Sequence, residues 1–140
     1  MRYTVLFSIF LFAILSGCGK DKFESAPSLK FESVNTRVLE NGQRIQFTLS
    51  FTDAEGDLSG SMYVEKFEPT CLASNFPDHD SIPAFPTSKN VKGNFLVTFD
   101  YSYIAPKCQR NDTAIFRFAI KDKAGHVSDT VSSPPIIIIY

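Results

Sequence analysis

The sequence lacks the patterns that most enzymes and nucleic-acid-binding proteins use. It contains no tryptophan and two histidines, and its 14 basic and 15 acidic residues leave a net charge of −1. A polyanionic partner attracts a basic excess, which this chain does not have, so no nucleic-acid partner is predicted. The sequence also has no nucleophile elbow, phosphate-binding loop or HExxH motif. We therefore predict that the protein is not an enzyme.

Long apolar runs are also missing, with one exception at the start of the chain. Arg2 precedes the apolar stretch Val5–Leu15, and charge returns at Lys20 and Asp21. A helix that spans a bilayer needs about 20 apolar residues, so a retained transmembrane helix is the weaker of two interpretations. A basic residue, a short apolar stretch and then small residues are typical of a cleaved secretory signal.

The residues that close this stretch, Leu15-Ser16-Gly17-Cys18, resemble a bacterial lipobox. The resemblance implies cleavage before Cys18, a diacylglycerol on its sulfur and an acyl chain, such as palmitate, on its new amino group. Several acyl chains make a durable anchor, because each buried CH2 contributes roughly 0.8 kcal/mol. Gly19 is not the aspartate that retains similar enterobacterial lipoproteins in the inner membrane. The resemblance therefore implies an outer-membrane lipoprotein of the bacterial cell envelope, exposed at the cell surface or facing inward.

The chain divides into three segments. Residues 1–17 are the signal peptide, residues 18–28 are the lipidated cysteine and a flexible tether, and residues 29–140 are one domain. The tether is short, polar and carries charges of both signs. Without the signal, 123 residues remain with 13 basic and 15 acidic side chains, a net charge of −2. This length suits a single domain with a real hydrophobic core.

Short alternating runs of apolar and polar residues predict strands through the domain. Arg44–Thr52 is the clearest, with Ile45, Phe47, Leu49 and Phe51 on one face. The other predicted strands are Leu29–Val34, Ser61–Phe67, Phe95–Tyr101, Phe116–Ile120, Val127–Ser132 and Ile136–Tyr140. About seven strands with turns between them predict an all-β fold, a single antiparallel sandwich of two sheets, with a small barrel as the alternative.

Two loop sequences resemble a known family. FTDAEGDLSG (Phe51–Gly60) and IKDKAGHVSDTV (Ile120–Val131) are similar to the corresponding loops of immunoglobulin-like domains in Bacteroidota surface lipoproteins. The resemblance implies an immunoglobulin-like β-sandwich. His126 departs from the family pattern, which usually has asparagine there.

The first of these loops is an acidic turn, in which Asp53, Glu55 and Asp57 alternate around Gly56. Hard cations such as calcium prefer several oxygen ligands at about 2.4 Å, and three such carboxylates can converge on one turn. In an immunoglobulin-like topology Asp122 lies at the same end and joins them. The alternative is an ordinary turn, because Asp and Gly are favoured in turns for backbone reasons. A bound calcium ion is expected to stiffen the loops, and no other cofactor is predicted.

Two cysteines, Cys71 and Cys108, remain once Cys18 is lipidated. An even pair in an exported protein predicts a disulfide, and two unpaired thiols are the alternative. A metal site is disfavoured because neither cysteine has a CxxC partner or a histidine at ligand spacing. The disulfide requires both cysteines at one end of the sandwich. The chain must then cross back once after Phe67, and a short edge strand near Ile82–Phe85 is expected to make that crossing.

The segment Glu68–Lys92 holds four prolines, too many for a central strand. Phe76 and Phe85 either form an aromatic platform for sugar or protein, or pin this segment to the core. Asp78-His79-Asp80 is either a solvated turn or part of a metal or substrate site. The tether is expected to leave from the acidic-turn end, so this segment faces away from the membrane and is the first place to expect a partner.

These predictions combine into a membrane-anchored, non-enzymatic binding or structural module of the cell envelope. Its expected partner is another envelope protein or a glycan. Two alternatives remain. One is a calcium-stabilised accessory subunit of an outer-membrane uptake or adhesion assembly. The other is a small hydrolase that uses paired carboxylates of the acidic turn.

Overall fold

The structure is a computed structural model and describes residues 25–84 and 89–140. The predicted signal peptide, Cys18, most of the predicted tether and Phe85 lie outside the described residues, so the structure does not address the predictions made for them. Within the described ranges, no helix is both long and apolar enough to cross a bilayer.

The described part of the chain forms nine strands. They are β1 (Ser28–Val34), β2 (Val38–Leu39), β3 (Arg44–Asp53), β4 (Ser61–Phe67), β5 (Phe76–Ser81), β6 (Val91–Asp100), β7 (Asp112–Lys121), β8 (Val131–Ser132) and β9 (Ile136–Ile138). A 3-10 helix, Leu72–Ser74, precedes β5, and a four-residue helix, α1 (Tyr101–Ile104), follows β6.

The strands form two sheets. The smaller has the order β1-β3-β6, and the larger has the order β2-β9-β7-β4-β5, with β8 also paired to β7. Neighbouring strands are antiparallel except for β2 and β9, which are parallel. The predicted all-β sandwich of two sheets is confirmed. Nine strands replace the predicted seven, because β2 was not predicted and β5 was expected only as a short crossing strand further along the chain.

The core lies between the two sheets and is built by the predicted alternation. β3 contributes four fully or nearly fully buried residues, Ile45, Phe47, Leu49 and Phe51. The Phe47 ring lies 4.8 Å from the Phe116 ring and 5.2 Å from the Phe118 ring, measured between centroids. Aromatic contacts of this kind add about 0.5–1.5 kcal/mol each beyond the area they bury. These contacts hold the smaller sheet against the larger.

The crossing strand is real, but it lies earlier in the chain than predicted. The expected position was Ile82–Phe85, whereas β5 spans Phe76–Ser81 and pairs antiparallel with β4 from Ser61↔Ser81 to Lys66↔Phe76. Because β5 is the terminal strand of its sheet, its proline and its polar residues are tolerated.

Three smaller corrections concern the ends of predicted strands. Tyr101 begins α1 and does not extend β6. Val127 makes a single bridge to Lys121, and regular pairing in that segment is confined to Val131–Ser132. The last strand stops at Ile138.

Candidate functional site

The acidic turn follows β3 directly and is shaped by local hydrogen bonds. Asp53 is buried at the end of the strand, and its Oδ1 accepts a hydrogen bond from the Glu55 backbone N–H at 3.2 Å. Gly56 has a φ of 78°, the left-handed conformation that a side chain disfavours. These features are those of a turn that its own aspartate caps.

The acidic turn contacts the loop between β7 and β8. The Asp57 carbonyl oxygen accepts a hydrogen bond from the Lys123 N–H at 3.1 Å, and its carboxylate Oδ2 accepts one from the Ala124 N–H at 3.2 Å. The two loops that carry the family resemblance therefore meet at one end of the sandwich, as the topology implied.

The four predicted calcium ligands do not share one arrangement. Both oxygens of Asp122 face His126: Oδ1 accepts the His126 backbone N–H at 2.8 Å, and Oδ2 lies 3.0 Å from its Nδ1. Glu55 is exposed. Asp53 Oδ2 and Asp57 Oδ1 are buried and have no hydrogen-bond partner.

Across residues 25–84 and 89–140, no three acidic, histidine or cysteine side chains are grouped so that they could hold a metal ion. Of the four predicted ligands, Asp53 and Asp57 each keep one carboxylate oxygen that could bind a metal ion. Asp122 is engaged by His126, the residue that departs from the family pattern.

The opposite end of the sandwich carries the disulfide. Cys71 and Cys108 are bonded, with their Cα atoms 6.1 Å apart. β4 ends and β7 begins at this end, so the predicted pairing and the predicted return crossing are both present. The 3-10 helix starts directly after Cys71 and leads the chain into β5.

A buried ion pair lies near the disulfide. Lys66 Nζ is 2.7 Å from Asp112 Oδ2, and both side chains are 0% exposed. The same ammonium donates a hydrogen bond to the Ile104 carbonyl at 3.0 Å. Asp112 Oδ1 has no partner. A fully desolvated pair of this kind restrains the geometry of the strands that carry it, because separating the charges inside the protein is costly.

Glu68 adds a second buried carboxylate at the disulfide end. Its Oε1 accepts hydrogen bonds from the N–H and the hydroxyl of Thr70, both at 2.7 Å, and its Oε2 accepts one from the Thr113 N–H. Burial alone would raise the pKa of Glu68. The hydrogen bonds and the positive charge of Arg110 outweigh burial and hold this pKa below its ordinary value of 4.5.

The sequence analysis missed this buried polar cluster, although one signal for it exists. Met62 and Val64 point into the core, and period-two alternation along β4 places Lys66 on the same face. A lysine on the core face of a strand predicts a buried acidic partner. Nothing in the sequence identifies Asp112, which is 46 residues away.

The outer face of the larger sheet carries exposed aromatic and charged side chains. Tyr63 and His79 are opposite each other on β4 and β5, and their rings meet edge to face with centroids 4.8 Å apart. Beside them, Arg117 Nη1 lies 3.0 Å from Glu65 Oε2, and the Arg117 guanidinium stacks 4.7 Å above the Phe67 ring. We call Tyr63, Glu65, His79 and Arg117 the mixed face. A shallow groove of about 200 Å³ runs across it.

Phe76 lies at the start of β5 and packs against the core. Its ring contacts Phe99 and Tyr103, with centroids 6.4 and 5.3 Å away. The Tyr103 hydroxyl donates to Asp78 Oδ2 at 3.0 Å, and this hydrogen bond raises the pKa of Tyr103 above its ordinary value of 10.0. Phe76 thus has the contacts of a residue that pins the segment. Its proposed companion in a platform, Phe85, lies outside the described residues.

The sequence matches none of the protein-family models and none of the curated proteins. Among solved structures, the chain is similar to Spo0M, a sporulation control protein from Bacillus subtilis. The two share 10% sequence identity and superpose with a TM-score of 0.45. The match covers 82% of this chain and 50% of the Spo0M chain. Similarity at this level carries no argument about function.

Proposed function

We propose that this protein is a lipid-anchored, non-enzymatic module of the bacterial cell envelope that binds another envelope protein or a glycan. The observation that carries the proposal is the Cys71–Cys108 disulfide in a domain that follows a lipobox-like sequence. Disulfides persist in oxidising compartments, which lie on the export route that a lipobox specifies. The lipid would then keep the sandwich beside the membrane from which its partners are reached.

The mixed face supports a binding role. Tyr63 and His79 offer aromatic surface together with polar atoms, and Glu65 and Arg117 offer charges of both signs. Glycans and proteins are both recognised by aromatic rings flanked by hydrogen-bonding groups. His79 belongs to Glu68–Lys92, the segment for which a partner was predicted.

The anchor is tested by expressing the full chain with Cys18→Ser in a bacterium that processes lipoproteins. The unaltered chain should fractionate with membranes and show the added mass of acyl chains, whereas the variant should lose both. The matched control is the double variant Cys71→Ser/Cys108→Ser, which should remain acylated. Acylation that persists in Cys18→Ser would remove the lipoprotein assignment.

The binding role is tested on a glycan array and against purified envelope proteins, with Tyr63→Ala and His79→Ala. Binding should fall at least tenfold in these variants and stay unchanged in Gln46→Ala, which alters the outer face of the other sheet. A ligand that binds both variants as tightly as it binds the unaltered chain would rule out the mixed face as the binding site.

A second candidate is a calcium-stabilised accessory subunit of an outer-membrane uptake or adhesion assembly. It is favoured by the buried, unpartnered oxygens Asp53 Oδ2 and Asp57 Oδ1. The fit is partial, because Asp122 is engaged by His126 and Glu55 is exposed. An ion here would draw its remaining ligands from backbone carbonyls and water.

Thermal unfolding with and without millimolar calcium tests this second candidate. If calcium binds, Tm should rise by several degrees, and the rise should disappear in Asp57→Asn and persist in Glu55→Gln. An unchanged Tm at millimolar calcium would eliminate the site.

A further inference from the structure

The terminal strand β6 is the longest edge strand in the described structure. It has ten residues, and it ends the sheet order β1-β3-β6. Its outward-facing side chains are all exposed. They are Lys92, Asn94, Leu96, Thr98 and Asp100. Leu96, at the middle of this row, is 63% exposed. Edge strands are templates for pairing with another strand unless charge, proline or a bulge protects them.

The row of outward side chains is complementary to itself. If β6 pairs antiparallel with β6 of a second copy about a two-fold axis at Leu96, residue numbers on opposing positions add up to 192. Lys92 then faces Asp100 of the partner subunit, and Asp100 faces Lys92 of the partner subunit. Leu96 faces Leu96 of the partner subunit. We propose that this edge joins two copies of the chain into a symmetric dimer with a continuous six-stranded sheet.

This register is favoured over neighbouring two-fold registers. It pairs nine of the ten residues of β6, Lys92–Asp100. A shift of the axis by one residue in either direction separates Lys92 from Asp100 and sets Leu96 against a polar residue. Opposite charges and apolar pairs at facing positions stabilise antiparallel strands, and like charges destabilise them. An isologous dimer needs such a self-complementary surface.

The other terminal strands do not offer the same pairing. Self-pairing of β5 about His79 would set Asp78 against Asp80 of the partner subunit, and Pro77 has no N–H to donate. β1 carries a bulge between Phe31 and Ser33, which interrupts a regular edge. β2 has only two residues. Of the described edges, β6 therefore fits a second copy best.

The proposal does not rest on the envelope assignment, but it has a consequence for it. A two-fold axis across antiparallel strands points the two acidic-turn ends in opposite directions. Two copies tethered to one membrane would then lie with their strands parallel to its surface.

Cysteine crosslinking of the full chain, purified in detergent, tests both the dimer and its register. Leu96→Cys should give a covalent dimer on a non-reducing gel, because directly opposed Cβ atoms lie about 4.5–5.5 Å apart. Asn94→Cys and Thr98→Cys should each run as a monomer on the same gel, because neither residue faces its own counterpart in the partner subunit. Asn94→Cys/Thr98→Cys should crosslink. Equal crosslinking of Asn94→Cys and Leu96→Cys would overturn the register.

A charge substitution at Leu96 tests the dimer without engineered cysteines. Leu96→Glu should weaken dimerisation at least tenfold in light scattering that measures protein mass separately from detergent. Thr48→Glu, beside Leu96 on the neighbouring strand β3, should leave the dimer intact. An unaltered chain that is monomeric at tens of micromolar, or a Leu96→Glu dimer of unchanged strength, would overturn the proposal.

Discussion

Where β4 ends, the chain is held by the Cys71–Cys108 disulfide and by the fully buried pair Lys66–Asp112. Where β4 begins, it is held by turns whose backbone N–H groups bond to Asp57. One end of the sandwich therefore depends on a covalent bond and desolvated charges, and the other depends on loop conformation. A broken contact should cost most at the disulfide end, where water cannot replace it.

The largest effect is expected at Lys66. Lys66→Met leaves Asp112 as an unpaired buried charge, which should lower the free energy of unfolding by about 3–5 kcal/mol. Chemical denaturation of the full chain measures this loss. The double variant Lys66→Met/Asp112→Leu should recover much of it, because an apolar pair replaces the charges.

A neighbouring exposed pair is the control for this prediction. Glu65 is adjacent to Lys66 on β4, and its carboxylate pairs with the partly exposed Arg117. Glu65→Gln should therefore cost no more than about 1 kcal/mol. Equal losses at Glu65 and Lys66 would contradict the distinction between the buried and exposed pairs.

The next effect is expected from removing the disulfide. Cys71 and Cys108 are 37 residues apart, and closing a loop of that length contributes about 4 kcal/mol in the chain-entropy model. Cys71→Ala/Cys108→Ala should lower the unfolding free energy by a similar amount. Reduction of the unaltered chain should produce a matching loss. A loss below about 1 kcal/mol would mean that the buried ion pair holds this end without the covalent bond.

At the acidic-turn end, close backbone packing should give a smaller effect. A Cβ atom on Gly60 would lie 1.8 Å from the Lys121 carbonyl oxygen, so Gly60→Ala forces the β3–β4 loop away from the β7–β8 loop. Overpacking of this kind costs about 1–3 kcal/mol.

Gly42→Ala separates crowding from backbone strain. Gly42 has a φ of +82° and no atom near the added Cβ. Its substitution should cost about 1 kcal/mol through conformation alone. Thermal unfolding compares the two variants, and equal losses would show that crowding at Gly60 is relieved by a loop shift.

The parts of the fold that the sequence predicts are those with strong alternation. β3 and β4 show it clearly, and β4 spans the predicted Ser61–Phe67. The disulfide followed from compartment and cysteine count, and the meeting of the two loops followed from topology. These features depend on local pattern or on a small number of alternatives.

The missed features depend on contacts between distant residues. β5 contains Pro77 and four polar residues in succession, and as an edge strand it needs little apolar surface, so no alternation marks it. The sequence also does not predict the partner of Lys66 or the hydrogen bonds between Asp122 and His126, because each depends on which segments meet in the folded chain. The acidic turn therefore resembled a four-carboxylate site in sequence, although Asp122 is directed elsewhere.

The smallest predicted effect concerns pH and again distinguishes the disulfide end. The hydrogen bonds from Thr70 and Thr113 hold the pKa of Glu68 below its ordinary value of 4.5, so the ionised form is stabilised in the folded chain. This contribution is complete above the unfolded pKa and is lost as pH falls through the lower folded pKa. The unfolding free energy should therefore decrease as pH falls below about 4.5. Glu68→Gln should be less stable than the unaltered chain at pH 7, and the difference should shrink as the pH is lowered below 4.5. Thr70→Val removes the hydroxyl donor to Glu68 but keeps the backbone N–H. This variant should therefore lose part of the pH dependence of the unfolding free energy. If Glu68→Gln loses stability in parallel with the unaltered chain over this range, other carboxylates carry the acid sensitivity, and the two ends of the sandwich do not differ in this respect.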